Sequence, residues 1–250
     1  MTVTQTTGVL TAVATAAGAT GVTGDAAYVH TLADGTVAAC LVDGIGHSPQ
    51  ITARAALLAE VGARIAATRG PLHGLLAAAE LISDPGPEDC PEEDAVAVVV
   101  VAHPDRGEFS IAWTGDCAAW SYDPPTGQVV KVTTDHTMGQ FLRQVHSGGP
   151  LVRAEHHDDW VRVSLARSSI ATVRETETAA PIVLLTSDGV HGPLSADRIA
   201  ELVQMLDDKA PQRLADTLLK CAVARAVYPY VRGDRDDATV VVLAALPEGC

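Results

Sequence analysis

Four short segments of the sequence share one pattern, in which an apolar stretch meets one or two aspartates at a turn. They are 41–47 (LVDGIGH), 113–117 (WTGDC), 185–189 (LTSDG) and 235–239 (RDDAT). A single Asp-Gly pair has a simple explanation, because both residues favour turns. Four such segments at the ends of apolar stretches are a stronger indication of a functional site.

The chemistry open to grouped carboxylates is metal binding. If three of them converge to about 5 Å, each pair repels by roughly 3 kcal/mol at an effective dielectric of about 20, which totals on the order of 10 kcal/mol. That cost is comparable to the stability of a whole domain, so such a cluster needs cations. Sites built only from oxygen ligands favour Mg²⁺ or Mn²⁺ over softer metals.

The elements that must position these aspartates alternate between blocks of strands and pairs of helices. Apolar stretches predict strands at 9–16, 37–42, 95–102, 108–114, 118–122, 129–132, 161–165, 182–186 and 238–245. Helical spacing predicts helices at 50–68, 72–82, 137–145, 196–206 and 211–227. Paired helices between blocks of strands indicate an α+β fold. We expect a single domain over 1–250, because no linker is long enough to separate two.

Composition and charge limit the possible partners. The 250 residues include 31 acidic and 17 basic side chains, for a net charge of −14. Nucleic acids and anionic membranes need a basic face, so neither is an expected partner. The five cysteines lack CxxC spacing, which argues against a zinc site and favours a reducing compartment. We see no secretion signal and no apolar run that could span a bilayer, and we expect a cytoplasmic monomer.

In this order and at these spacings, the segments resemble the motifs of the PPM-type (type 2C) serine/threonine protein phosphatases, especially the compact bacterial members. That family typically shows an early Asn-Glu-Asp, then Asp-Gly-Met-Gly-Gly-His, Gly-Asp-Ser, Ser-Asp-Gly and Asp-Asn-Ala-Thr. The counterparts here are 24–25, 43–47, 115–117, 187–189 and 236–239, and the segment 134–137 (TDHT) is similar to a further family motif. Each motif alone is weak, whereas the ordered set, over about residues 18–243, is specific.

The resemblance implies a central β-sandwich of two sheets with helix pairs on both outer faces. It places the active site at one end of the sandwich. The reaction it implies is direct in-line attack of a metal-activated water on phosphoserine or phosphothreonine in a protein, without a phosphoenzyme. The expected partner is therefore a phosphorylated protein, the product of a serine/threonine kinase.

The resemblance also implies a ligand set for two Mn²⁺ or Mg²⁺ ions. Asp43 would bridge the two ions, and the Gly44 carbonyl would be a further ligand. Asp188 and Asp236 would complete the protein ligands of the first ion. Asp116 would lie near a third, weaker ion.

Asp25 would hold a coordinated water molecule. The sequence departs from the family pattern at three positions. Gly24 stands where the family has a glutamate that helps to hold the second ion. Thr20 stands where the family often has an arginine that grips phosphate. Asp237 replaces the family's last asparagine and adds a negative charge. Together these changes predict a weaker second metal and weaker phosphate capture.

Two alternatives stay open at this point. The pairs 24–25 and 46–47 also resemble the related phosphatases of bacterial sigma-factor and sporulation control, which share the fold and the metal site. A non-catalytic module that binds a phosphoprotein is the other alternative. The retained Asp43, Asp188 and Asp236 favour catalysis, whereas the lost glutamate and arginine favour binding alone.

The remaining histidines and tryptophans have simpler interpretations. Residues 146–160 are polar and rich in histidine, which predicts a mobile flap rather than a zinc site. His47 is expected to pack locally, and Cys117 to be a small buried residue. Trp113, Trp120 and Trp160 are expected in the core.

Overall fold

The structure, a computed structural model, describes residues 8–46, 49–83, 93–103, 106–145, 154–206, 210–226 and 235–246. His47 and the first half of the expected flap lie outside the described residues.

In this part of the chain, ten strands form two five-stranded sheets in which neighbouring strands are antiparallel. The strands are β1 (Val9–Ala16), β2 (Ala26–Thr31), β3 (Val37–Ile45), β4 (Asp94–His103), β5 (Glu108–Thr114), β6 (Ala118–Asp123), β7 (Gln128–Lys131), β8 (Arg174–Thr178), β9 (Ile182–Thr186) and β10 (Ala238–Ala245). One sheet has the order β1-β10-β9-β6-β7, and the other has the order β2-β3-β4-β5-β8.

Helices cover the outer face of each sheet. They are α1 (Pro49–Arg69), α2 (Pro71–Ala79), α3 (Met138–Val145), α4 (Asp188–His191), α5 (Ala196–Met205) and α6 (Pro211–Ala226). Helices α1 and α2 pack on the sheet that contains β3, and α4 to α6 pack on the sheet that contains β10. Among the described helices, none has both the length and the apolar character of a membrane span.

Both faces of the central strands are buried, which explains their unbroken apolar sequences. In β4, Ala97, Val99 and Val101 pack beneath the helices, whereas Val98 and Val100 face the opposite sheet. A strand covered on both sides needs no polar alternation. The predicted α+β sandwich with flanking helices is therefore confirmed.

The prediction of a strand at 161–165 is wrong. Val161 makes only an isolated bridge to Thr137, and Leu165 begins a short 3-10 turn. The edge position beside β5 is taken instead by β8, whose charged sequence hides its strand character because it is an exposed edge. Strand β2 and the four-residue helix α4 were also not expected from the sequence.

Candidate metal centre

The antiparallel register brings five aspartates to one end of the sandwich. In one sheet, Asp25 directly precedes β2, Asp43 lies near the end of β3, and Asp116 follows β5. In the other sheet, Asp188 follows β9 and Asp236 precedes β10. Because neighbouring strands run in opposite directions, the start of one meets the end of the next at the same edge.

Electrostatic interactions show that Asp43 is the centre of this group. Burial raises the pKa of Asp43 well above its ordinary value, and the charge of Asp188 raises it further. Smaller contributions to this pKa come from Asp25, Asp116 and Asp236. Every carboxylate that the sequence singled out therefore interacts with Asp43.

The neighbours of Asp43 show the same effect. Burial raises the pKa of Asp188 to about 6, with a further contribution from Asp236, and a hydrogen bond with Asp43 partly offsets the rise. Burial also raises the pKa of Asp116 to about 7, helped by the charge of Asp188. The local arrangement thus disfavours the ionised form of several carboxylates at once.

Asp25 links the two sheets beneath this group. Its carboxylate is 3% exposed, and Oδ2 accepts a hydrogen bond of 2.7 Å from the Ser187 hydroxyl. Ser187 Oγ in turn accepts a 2.9 Å hydrogen bond from the backbone N–H of Thr239. Burial raises the pKa of Asp25 to about 7 even though hydrogen bonds from Ser187 and Thr239 lower it.

Two observations bear on whether these residues fit a divalent cation. Asp25 Oδ1 and Asp188 Oδ1 are buried and have no hydrogen-bond partner among the described residues, which is costly unless a cation or proton compensates. Against this, no group of three or more acidic, histidine or cysteine side chains in the described ranges has the arrangement of a formed metal site. The residues nevertheless fit a divalent cation in the type of their ligand atoms and in their place at one end of the sandwich.

Two hydrogen bonds to Asp237, which we call the Asp237 clamp, connect the loop between β1 and β2 to the start of β10. Asp237 Oδ1 accepts a hydrogen bond from the Gly18 N–H, and Oδ2 accepts one from the Gly24 N–H, both at 2.5 Å. An asparagine has only one side-chain oxygen and could satisfy only one of these donors. The departure from the family pattern at Asp237 thus has a local structural role.

Gly115 and Gly189 permit the segments that carry the aspartates to approach their neighbours closely. Gly115 has φ of 83°, and a Cβ there would overlap the Val96 side chain. A Cβ on Gly189 would overlap the backbone carbonyl of Asp237. The Gly-Asp and Asp-Gly pairs are therefore required by packing as well as by turn geometry.

The backbones of Gly24 and Gly44 also lie against each other. A Cβ on Gly24 would stand 3.2 Å from the Gly44 carbonyl oxygen and 3.5 Å from Asp237 Oδ2. Gly24 has no left-handed backbone angle that would exclude a larger residue. Position 24 therefore adjoins the Gly44 carbonyl.

The residues outside this centre have mixed outcomes. Cys117 and Trp113 are buried as expected, but Trp160 is 58% exposed and does not belong to the core. In the described part of the expected flap, Asp158 forms an ion pair with Arg143 at 2.6 Å. Its histidines do not join a metal-binding group within the described residues.

The sequence interpretation assigned no role to Ser187 or Thr239, which support Asp25. Both lie inside the recognised motifs, directly beside Asp188 in one case and two residues after Asp237 in the other. Their positions inside the motifs were therefore the sequence signal that could have identified these two residues. Their contacts across the sandwich arise only in the folded protein.

Comparisons with known proteins identify the fold. A serine/threonine phosphatase of S. agalactiae superposes with a TM-score of 0.77 at 16% identity, covering 95% of this chain and 100% of that one. The phosphatase Stp1 of Staphylococcus aureus gives 0.73 at 14% identity, covering 100% and 99%. The catalytic domain of the phosphatase PstP, in complex with two manganese ions, gives 0.72 at 18% identity, covering 97% and 100%. No family model and no curated protein matches the sequence. The chain has the fold of bacterial serine/threonine phosphatases.

The clamp at Asp237 predicts a stability effect. Asp237→Asn leaves one backbone N–H without its partner, so we expect the unfolding free energy to fall by about 1–3 kcal/mol. Urea unfolding in high salt measures this loss while screening the gain from removing a negative charge. Asp237→Ala, which removes both acceptors, should lose more. Equal stability of all three proteins would contradict the clamp.

The raised pKa of Asp25 predicts that the metal-free protein loses stability as pH rises. Between the ordinary value of 3.8 and about 7, the folded protein keeps a proton that the unfolded chain releases. The unfolding free energy therefore falls as pH rises through this range. In EDTA, Asp25→Asn should raise Tm by several degrees at about pH 8 and by much less at about pH 4.5.

Glu177→Gln is a matched control for this pH experiment, because it removes one negative charge from an exposed position on β8. It should leave Tm nearly unchanged at both pH values. If Asp25→Asn shifts Tm equally at both pH values, Asp25 does not titrate as described.

Proposed function

We propose that this protein is a metal-dependent serine/threonine protein phosphatase. The observation that carries the proposal is the gathering of four aspartates around Asp43 at one end of a phosphatase fold. A neighbour of the same fold holds two manganese ions. Mn²⁺ or Mg²⁺ is therefore the proposed cofactor, as two ions with a weaker third.

The proposed ligands are the carboxylates of Asp43, Asp188 and Asp236 and the carbonyl of Gly44, with Asp116 nearby. Bound divalent cations would offset the repulsion among these groups, attract a phosphate dianion and make a water molecule nucleophilic near neutral pH. The strands β3, β9 and β10 fix the backbone from which these ligands project, so that little has to move except side chains.

Asp25 has a different proposed role, because its position is fixed from both sheets. The Ser187 hydroxyl holds Oδ2, which leaves Oδ1 without a protein donor. That free oxygen would orient water beside the phosphoryl group. Asp25 would therefore act by positioning.

Water rather than a side chain is the proposed nucleophile. Cys117 lies closest to the aspartates, but burial and the neighbouring carboxylates raise its pKa well above the ordinary value. Burial also raises the pKa of Cys40 to about 12. Neither thiol ionises near neutral pH, so a cysteinyl-phosphate route is disfavoured.

The proposed substrate is a phosphorylated protein, and the proposed setting is a cytoplasmic, monomeric, single-domain enzyme. Asp236 is exposed, so the proposed site can be reached from solvent. The acidic chain offers no general attraction for a phosphate, so the cations must supply it.

A binding module without turnover is the second candidate. It is favoured by the absence of a converged ligand group in the described residues and by Thr20, whose exposed hydroxyl donates to the Val22 carbonyl and carries no charge for phosphate. Hydrolysis of p-nitrophenyl phosphate distinguishes the two candidates. A phosphatase turns over with Mn²⁺, whereas a binding module does not.

Metal dependence is the first prediction from this proposal. We expect turnover with Mn²⁺ or Mg²⁺, none in EDTA, and less than about a tenth of wild-type kcat in Asp43→Asn, which corresponds to at least roughly 1.4 kcal/mol of lost barrier stabilisation. Glu177→Gln, with the same charge change on the exposed edge strand, should keep wild-type kcat. Undiminished turnover in EDTA would refute the metal mechanism.

Gly24→Glu is the second prediction. The new carboxylate would project beside the Gly44 carbonyl and Asp237, where it adds repulsion without metal and a ligand with metal. We expect a lower Tm in EDTA and a lower Mn²⁺ concentration for half-maximal rate, which a Mn²⁺ titration measures. Gly24→Gln keeps the size without the charge and should not improve the Mn²⁺ response. An unchanged half-maximal concentration in a folded Gly24→Glu protein would place Gly24 away from the metal.

A further inference from the structure

A cleft with two arginines in its lining lies beside the proposed metal centre. It has a volume of about 460 Å³ and is walled by Trp113, His136 and Phe141. Two arginines, Arg162 and Arg174, also line it. We refer to these five residues and the space between them as the arginine cleft.

The two guanidinium groups face the same small volume from different elements. Arg162 lies over the Phe141 ring, 4.0 Å from its centroid, and its backbone N–H donates to the His136 carbonyl. Arg174 begins β8 and pairs with Trp113 on β5. Burial lowers the pKa of His136, and the charges of Arg174 and Arg162 lower it further.

These charges are free to act on a ligand. Arg162 and Arg174 are both exposed, and neither guanidinium forms a hydrogen bond or ion pair with a described residue. The carboxylates that line the same cleft are Asp135 and Glu175. Asp135 is already paired with Lys131, whose Nζ lies 2.6 Å and 2.9 Å from its two oxygens, so Glu175 is the lining carboxylate that offsets part of the charge of the two arginines.

The arginine cleft is joined directly to the proposed metal centre. The Gly115 N–H donates to His136 Nδ1 at 3.3 Å, and the His136 N–H donates to the Gly115 carbonyl at 2.8 Å. Asp116, one of the five gathered aspartates, is the next residue along the chain. An extended peptide whose phosphate lies at the metal centre could therefore reach the arginine cleft within a few residues.

We propose that the arginine cleft binds an acidic side chain that flanks the phosphorylated residue of the substrate, and this rests on the proposed function. Two arginines on one side of the site match the planar geometry of a carboxylate. The Phe141 ring holds one guanidinium and keeps water from its face. In a chain with a net charge of −14, an acidic substrate needs such a local attraction.

The test compares two phosphoserine peptides that differ only in having aspartates or asparagines beside the phosphoserine. The wild type should prefer the acidic peptide by about tenfold in kcat/KM, because each exposed ion pair contributes at most about fivefold. In the double variant Arg162→Gln, Arg174→Gln, the ratio should fall towards one. High salt should reduce the wild-type ratio in the same direction.

A matched control uses Arg69→Gln and Arg225→Gln together, at exposed positions on α1 and α6. This control has the same net charge as the cleft double variant, so it should keep the wild-type ratio. The proposal is overturned if the wild type shows no preference, or if the cleft variant and the control behave alike.

Binding in EDTA separates this proposal from the proposed function. Fluorescence anisotropy with labelled acidic and neutral peptides should show tighter binding of the acidic one by the wild type and not by the cleft variant. If no form of the protein hydrolyses phosphopeptide, the phosphatase proposal fails while this difference still supports the cleft. Equal binding of both peptides by the wild type refutes the cleft whatever the turnover.

Discussion

Mutual repulsion among carboxylates at the end of a β-sandwich is the constraint around which the rest of the structure is arranged. Asp43 interacts unfavourably with four other aspartates, and burial adds to the cost for most of them. Without a cation the protein can reduce this cost by binding protons. The raised pKa values of Asp25, Asp116 and Asp188 are signs of that compromise.

The surrounding fold makes such a compromise tolerable. Central strands buried on both faces hold the backbone at the site, and the Asp237 clamp and the Ser187 contact to Asp25 tie the sheets and loops together there. Each of these contacts satisfies a group that would otherwise be buried and unpaired. The loop that carries Gly24 is therefore positioned by hydrogen bonds from its backbone N–H groups to the Asp237 carboxylate.

Much of this arrangement could be predicted from the sequence, and the misses have physical reasons. Apolar runs and motif order identified the sandwich, every described helix except α4, and all five aspartates. Strand β8 was missed because an exposed edge strand carries charged residues. The segment 161–165 was wrongly predicted as a strand because apolar and polar residues alternate in it, whereas it forms only an isolated bridge. The role of Asp237 and the arginine cleft depend on contacts between residues distant in sequence, which no local pattern records.

The most direct test of the account is a crystal structure of the protein grown with Mn²⁺, with the metal located by its anomalous scattering. We expect anomalous peaks at coordination distance from Asp43, with the carboxylate of Asp188 as a second ligand. The absence of any peak beside Asp43 at saturating Mn²⁺ would contradict the claim that this cluster exists to hold cations.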